Sequence, residues 1–302
     1  MTINTSSFAK ALFPGVNAWY GKAYAEYPEE HKELFAQSTS SRNWEEDVGT
    51  SGFGLAPVKT EGGPITYDNE KQGFTTRYRH VTYALGFVIT REMFEDDLYA
   101  VAGERKAQAL AFSIRQTKEV LAANVYNRAF TAGYTGGDGV ILASNAHPNV
   151  AGGTWSNILS VASDVSEAAL EQACIDIAAL KNDRGLQIAL RPQKIIIPAT
   201  LEFEVARILK AVGRTGTDTN DINAIKEMNK FPGGMVVNHY LTDPDAWFIM
   251  TNAPHGMKHF VRRADEFNTD NDFDTENAKF KASFRSSWGW TDPRGIFASP
   301  GA

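Results

Sequence analysis

Phe74-Thr75-Thr76-Arg77-Tyr78-Arg79-His80-Val81-Thr82-Tyr83-Ala84-Leu85-Gly86-Phe87-Val88-Ile89-Thr90 is the stretch on which the fold turns. It is rich in Thr, Tyr, Val and Phe and has no proline. Val81, Tyr83, Leu85, Phe87 and Ile89 alternate cleanly, so the second half reads as a strand with one buried face. In the first half that face carries Arg77 and Arg79, and the other carries Tyr78 and His80. Fully extended, the run spans about 56 Å at ~3.3 Å per residue, whereas a typical strand has ~5–6 residues. The run therefore begins outside the body, in a long two-stranded arm, and enters the body near Val81. An isolated hairpin is marginal in water, so such an arm implies a neighbour to lie on.

Upstream, residues 49–73 hold six of the 25 glycines and read as loop, with a turn at Glu61-Gly62-Gly63-Pro64. Residues 1–48 scatter Phe8, Phe13, Trp19, Tyr20, Tyr24, Tyr27, Phe35 and Trp44 among small polar residues. Helical spacing there lasts a turn or two, around Val16–Tyr24 and Glu29–Gln37, too thin a scaffold to cover its own aromatics.

Downstream, Thr90 caps a helix whose first turns carry Glu92, Glu95, Asp96 and Asp97. The pattern runs to about Phe130, with Ala107, Leu110, Ala111, Ile114, Leu121, Val125 and Ala129 in one stripe. A rod of forty residues is about 60 Å long, a strut rather than an ordinary globular helix. Ser166 caps a second helix to about Asp183, with Leu170, Ala173, Cys174, Ile177 and Leu180 inward and Gly185 as its stop. Ile195–Ile197 is a buried strand, and Leu201–Val212 a helix. Met235–Val237 and Trp247–Met250 are further strands around an Asp243-Pro244-Asp245 turn. From Lys258 the pattern gives a strand, an acidic loop (Asp265–Glu276), a strand (Ala278–Trp288) and an irregular tail.

Composition closes off several functions. The 302 residues are 43% hydrophobic and 22% charged, ordinary for a globular chain of one large or two medium domains. Thirty Lys plus Arg against 36 Asp plus Glu leave a net charge of −6, which argues against duplex binding as the main task. The single cysteine, Cys174, excludes a disulfide framework and fits a reducing compartment. No signal peptide or membrane-length apolar run is present, so the expectation is a soluble product made in the cytoplasm.

No catalytic constellation emerges. His255 and His259 are four apart, but the intervening Gly256 stands where a helical zinc protease places its glutamate. Asp270, Asp272, Asp274 and Glu276 alternate like a calcium loop, yet Thr275 and Lys281 occupy the positions that require glycine and glutamate. His147 is read as a loop residue, since Ser144 upstream lies in no nucleophile elbow. The glycine-rich segments lack phosphate-loop spacing, Gly52-Phe53-Gly54 included. Cys174 is a buried inert thiol, and Arg77, Arg79, Arg262 and Arg263 form solvated faces. The chain is not an enzyme, and no cofactor or metal is called for.

The order of elements resembles the major capsid protein fold shared by tailed bacteriophages, herpesviruses and encapsulin shells. Tyr78–Glu92 with Glu95-Asp96-Asp97 looks like the hairpin-to-spine junction of the Mu-like major head subunit family. Ser144-Asn145-Ala146-His147-Pro148 and Gly152-Gly153-Thr154-Trp155-Ser156-Asn157 look like that family's loop between spine and axial domain. Phe273-Asp274-Thr275, Trp290-Thr291-Asp292-Pro293-Arg294 and Gly301 resemble its C-terminal return.

The resemblance implies an α+β fold with an N-terminal arm (1–48), an extended hairpin loop (49–90) and a spine helix of a peripheral domain (91–134). An axial domain (135–257) and a return to the peripheral domain with a C-terminal tail (258–302) complete it. It implies a major capsid protein that assembles as hexamers and pentamers into an icosahedral virion shell in the bacterial cytoplasm. The shell encloses double-stranded DNA without sequence-specific binding and involves no membrane. Scaffold, portal and decoration proteins are the further partners it suggests. Only about 48 residues precede the hairpin, too few for a cleaved scaffolding segment, which suggests a mature form or a separate scaffold. Some relatives crosslink a hairpin lysine to a neighbour's asparagine; Lys59 and Lys71 lie in this hairpin, but no partner or acidic catalyst is identifiable. The candidate inter-subunit contacts are Phe8, Trp19, Tyr20, Trp44, Phe53, Lys59, Glu61, Lys71, Arg77, Arg79 and Arg214. An encapsulin-like compartment shell is the alternative within the same fold, and a cytoplasmic α/β enzyme the alternative outside it.

Overall fold

The computed structural model describes residues 8–26, 28–96, 99–213, 222–272 and 276–302. Helix α1 (Phe8–Ala25) and a single turn, α2 (His31–Leu34), precede strands β1 (Ala36–Thr39) and β2 (Trp44–Thr50). The sequence predicted only a turn or two of helix in this region. In the structure α1 extends to eighteen residues, because Val16 and Tyr20 pack into a core shared with a later helix. Tertiary packing outweighs a weak local pattern.

The decisive run divides at His80 into β3 (Gln72–Arg79) and β4 (Val81–Ile89). β3 pairs antiparallel with β2 in a two-stranded sheet, while β4 joins a separate four-stranded one. The chain thus enters the body at Val81, as its alternation predicts. Of the expected buried face only Ile89 is fully enclosed; Tyr83 and Phe87 are partly covered, and Val81 and Leu85 remain about half exposed. β4 is an edge strand, which leaves its face incompletely roofed.

The predicted single rod is two helices. α3 (Arg91–Glu95) begins where the Met93 amide donates to Thr90 Oγ1 at 3.4 Å, and α4 (Tyr99–Asn127) follows after a turn at Asp96. Residues 97 and 98 lie outside the described residues. At ~1.5 Å per residue, α4 is about 43 Å long. Ala107, Leu110, Ala111 and Ile114 of its stripe are buried, whereas Leu121 and Val125 are only partly covered. Ala122 and Tyr126 take over the inward role further along.

Strands β5 (His147–Pro148) and β6 (Thr154–Trp155) form a small hairpin before α5 (Glu167–Ala179). Ser166 caps α5 by accepting from the Ala169 amide at 3.2 Å, and all five predicted inward residues are buried. The helix ends at Leu180 rather than near Asp183. Gly185, expected as its stop, instead takes a φ of 80° inside a tight turn spanning residues 181–187. Then come β7 (Pro192–Ile197), α6 (Glu202–Lys210), α7 (Ala224–Glu227), β8 (Met235–Val237) and β9 (Trp247–Thr251). Two long strands, β10 (Met257–Asn271) and β11 (Ala278–Trp290), precede the last strand, β12 (Ile296–Ser299).

Two departures from the sequence reading concern this end of the chain. The acidic segment from Asp265 is mostly strand, because β10 continues to Asn271 in register with β11 and sets Asp270 directly across from Lys279. The tail is not irregular: β12 pairs antiparallel with β9, so the last residues return to a different sheet from β10 and β11. Ile296, Phe297 and Ala298 are buried, which explains why this short apolar run holds as a strand.

Two four-stranded sheets result, ordered β1-β10-β11-β4 and β12-β9-β7-β8. The first carries α1 and the start of α4 on one face, through Phe280 and Phe284. The second is covered on both faces, as the period of two requires. Ile195, Ile197, Trp247, Ile249 and Phe297 face α5 and α6. Ile196, Phe248, Ile296 and Ala298 face the end of α4, where Tyr126 donates to Leu34 O at 2.8 Å.

Asn157 joins three segments where these layers meet. Its side chain donates to Leu142 O at 2.7 Å and Pro293 O at 3.2 Å, and accepts from the Ser144 amide at 2.8 Å. It has no solvent exposure. Asn157→Ala leaves those buried groups unpaired and is expected to cost about 3 kcal/mol, read as a lower urea midpoint with an unchanged slope.

Candidate functional site: the arm and its root

The arm is built from β2, β3 and the loop 51–71 between them. Its register sets Glu46 across from Arg77, whose Nε donates to Glu46 Oε1 at 2.6 Å, and the Arg77 guanidinium lies 4.5 Å over the Trp44 ring. Gly49 and Gly73 face each other so closely that a Cβ on Gly73 would stand 3.0 Å from the Gly49 backbone. The register shifts between Val48 and Thr50 at this point. Beyond it the loop exposes Phe53 (62%), Leu55 (82%), Val58 (96%), Ile65 (65%) and Tyr67 (90%). Five large apolar side chains on one irregular segment are far more than a solvated loop needs.

At its root the arm is pinned to the body. Asp47 accepts from Thr291 Oγ1 at 2.7 Å and from the Lys258 ammonium, and the Tyr78 hydroxyl lies 2.7 Å from the same Thr291 Oγ1. Burial pushes the Asp47 carboxyl up, but Lys258 and Thr291 outweigh it and hold the group below its ordinary value. Tyr78 meets the Phe260 ring edge-on at 4.9 Å.

His80 stands at the division itself, with Nδ1 3.0 Å from Ser287 Oγ and Nε2 3.1 Å from Ser40 Oγ. Ser40 Oγ donates to Glu45 Oε1 at 2.7 Å, so Nε2 carries the His80 proton and Ser287 donates to Nδ1. Burial, with Arg285 nearby, lowers the His80 pKa and keeps the ring neutral. Gly137 completes the seat: a Cβ there would stand 2.5 Å from Thr76 Oγ1 and 2.7 Å from Thr75 O.

A cleft of about 330 Å³ lies beneath the root, lined in part by Asp47, Asp138, Asp183, Asp292 and Arg294. Its carboxylates are partnered. Asp138 meets His147 Nδ1 at 2.7 Å, Asp183 accepts from Arg294 at 3.0 Å, and Asp292 shares the same arginine. Burial raises the Asp292 pKa despite Arg294. Among the described residues no cluster of three His, Cys, Asp or Glu side chains is placed to hold a metal ion. The cleft is a seam of paired polar groups between the arm root and the body.

Of the predicted contact residues, Trp44, Phe53, Lys59, Glu61, Lys71, Arg77 and Arg79 all lie exposed on the arm. Trp19 is half-buried beside α4, and Tyr20 is not a surface residue at all. The Tyr20 ring stacks on Phe267 at 4.7 Å and belongs to its own subunit's core, because α1 turns that face inward. Phe8 opens α1, and its side chain lies outside the described residues, as does Arg214.

His147, expected in a loop, is fully buried in β5 and stacks on Trp155 at 4.7 Å. His259 stacks on Trp288 at 4.7 Å, while His255 is exposed at a φ of 60°, so the two do not converge. Burial pushes the Cys174 thiol up to about 11, consistent with an inert core position. Asp47, Tyr78, Thr291 and Lys258 were not picked out as a group. Tyr78 lies in the decisive run and Thr291 in the quoted C-terminal stretch, but no local pattern joins either of them to Asp47 or Lys258.

A family model described as phage capsid protein matches residues 72–299. No curated protein matches the chain. Among solved structures, the chain resembles Microbacterium phage Oxtober96 (10% identity, 90% of this chain and 91% of that one, TM-score 0.54). It resembles the capsid of the native GTA particle to the same degree (13% identity, 90% of each chain, TM-score 0.54). The capsid of Ralstonia phage GP4 is similar too (11% identity, 88% and 86% covered, TM-score 0.54). At such identities these likenesses establish the fold.

Burial, reinforced by the nearby His31 and Lys118, pushes His259 down to about 3 from its ordinary 6.5. The unfolded chain therefore takes up this proton first, and stability falls as pH drops from about 6.5 towards 3. His259→Phe keeps a ring against Trp288 and removes that dependence. Urea midpoints measured between pH 7 and pH 4 are expected to fall less steeply in the variant than in the parent; equal slopes would refute the assignment.

Proposed function

The chain belongs to the phage capsid protein family and is a major capsid protein rather than an enzyme, and from that premise we propose that its copies build a closed icosahedral head by laying their arms on one another. The observation that carries this reading is the arm tip, where Phe53, Leu55, Val58, Ile65 and Tyr67 are 62–96% exposed on a segment with no core of its own. A second copy supplies the missing cover. The contact is heterologous, because an arm on one subunit meets a different surface on the next, and such contacts make rings where the rotation between copies closes. Hexamers and pentamers are the rings an icosahedral shell requires.

In this reading, residues 1–48 form the N-terminal arm, whose last strand β2 is also one limb of the hairpin. Residues 49–90 form the extended hairpin loop together with β4, which carries it into the body, and 91–134 the spine of a peripheral domain. Residues 135–257 form the axial domain and 258–302 the return, with β12 passing back to the axial sheet. Trp44, Phe53, Lys59, Glu61, Lys71, Arg77 and Arg79 are the proposed contacts between subunits. The net charge of −6 suits a tailed-phage head that encloses double-stranded DNA without gripping it. Assembly in the bacterial cytoplasm, with scaffold, portal and decoration proteins, follows from the same reading. No helix among the described residues is long and apolar enough to cross a membrane. An encapsulin-like compartment shares the fold, but the family match favours a phage head; shells holding DNA rather than a cargo protein separate the two.

Leu55→Asp with Val58→Asp changes two exposed side chains, so stability is expected to stay within about 0.5 kcal/mol of the parent. Closed particles, seen by electron microscopy and sedimentation, are expected to disappear. Deleting residues 52–63 is expected to do the same while leaving both sheets folded. Normal particles from either variant would overturn the arm's role.

A further inference from the structure

The arm tip is also hydrogen-bonded to its own subunit, through Arg184. Asp68 Oδ2 accepts from the Gly54 amide at 2.8 Å and so ties the two limbs of the loop together. The same oxygen receives the Arg184 guanidinium, which also donates to Asn69 O at 3.4 Å. The Gly54 amide, with Arg184 beside it, holds the Asp68 carboxyl down at about 2, so it stays ionised at any cellular pH. Among the described residues, the hydrogen bonds that tie residues 53–70 to the body come from Arg184 alone.

The turn that presents Arg184 is firmly built. Asn182 Oδ1 accepts from the Arg184 amide at 3.0 Å and the Leu186 amide at 2.8 Å, and Gly185 supplies the positive φ. Arg294, only 8% exposed, donates to Lys181 O and Asp183 Oδ1, both at 3.0 Å, and lies 4.3 Å over the Trp155 ring. A rigid, buried-arginine-braced turn thus aims one cation at one carboxylate on an otherwise unsupported loop.

We propose that the 181–187 turn is a docking site for the arm of the same subunit, with Arg184 latching Asp68 before assembly and releasing it when the arm passes to a neighbouring copy. The assembly half of this inference rests on the capsid reading; the docking half does not. The pair is partly exposed, with Arg184 at 23% and Asp68 at 44%. An exposed ion pair is weak and salt-sensitive, which a reversible latch requires. A neighbour burying the five apolar tip residues easily outweighs it.

The test uses full-length unassembled subunits. Arg184→Ala is expected to speed amide hydrogen exchange across residues 52–70 by about two- to fivefold, the range of a surface ion pair, with α5 unchanged. Raising salt from 0.05 to 0.5 M should give the parent the same faster exchange and leave the variant unaffected. In an Asp68→Ala background, Arg184→Ala should add nothing. Light scattering should show faster particle formation by Arg184→Ala than by the parent. Unchanged exchange would overturn the docking site. Faster exchange with unchanged or slower assembly would overturn the latch's role. If neither protein forms particles, even with a co-expressed scaffold, while exchange still responds, the shell reading fails and the docking site stands.

Discussion

A strand can serve only one sheet at a time along a given edge, and the exchange of partner at His80 is the constraint on which this molecule depends. Before it, β3 pairs among the described strands with β2 alone; after it, β4 pairs with β11 over a core. The arm therefore receives backbone pairing but no apolar layer, and a two-stranded ribbon without one is marginal by itself. Cation–π and ion-pair contacts between Arg77, Trp44 and Glu46 stiffen it, and the Asp47–Thr291–Tyr78–Lys258 network fixes its base. Neither covers the tip, so the apolar residues there are left for another molecule.

The body can hold such an arm because α4 serves both sheets. Ala107, Leu110, Ala111 and Ile114 pack beneath the first, and Ala122 and Tyr126 lie against the second. Polar groups are paired where these layers meet: Glu119 with His31, Lys118 with Asp265, Arg294 with Asp183 and Asp292. Removing one partner of such a pair leaves the other desolvated and unpaired, which costs more than the pair itself contributes. A rigid body with a pinned but uncovered arm is the physical form of a shell subunit.

Much of this was legible in advance, for reasons that differ by element. The α4 stripe at Ala107–Ile114 and Ser166 with its five inward residues carry strong local signals, and the structure follows them. The alternation from Val81 to Ile89 gives the strand but not a fully buried face, because β4 lies at a sheet edge. Tyr20, β12 and the length of α1 were misread because their order comes from partners far away in sequence: Phe267 for Tyr20 and Ile249 for Phe297. Asp265–Asn271 was read as loop on its acidity, whereas pairing with β11 makes it strand. His147 was misread for the same kind of reason, since its partner Asp138 and the Trp155 ring close around it only in three dimensions. The arm's exposed tip was readable as a glycine-rich loop, but the Arg184 contact with Asp68, 116 residues apart, has no local signature.

The central claim is that the arm tip finds its cover on another copy of this chain. A cryo-electron microscopy map of particles assembled from the full-length protein, resolved well enough to trace residues 51–71, tests it most directly. The account predicts Leu55, Val58 and Tyr67 buried against a neighbouring subunit, with Asp68 released from its own Arg184. Particles in which that segment stays solvent-exposed, or lies only on its own subunit, would contradict it.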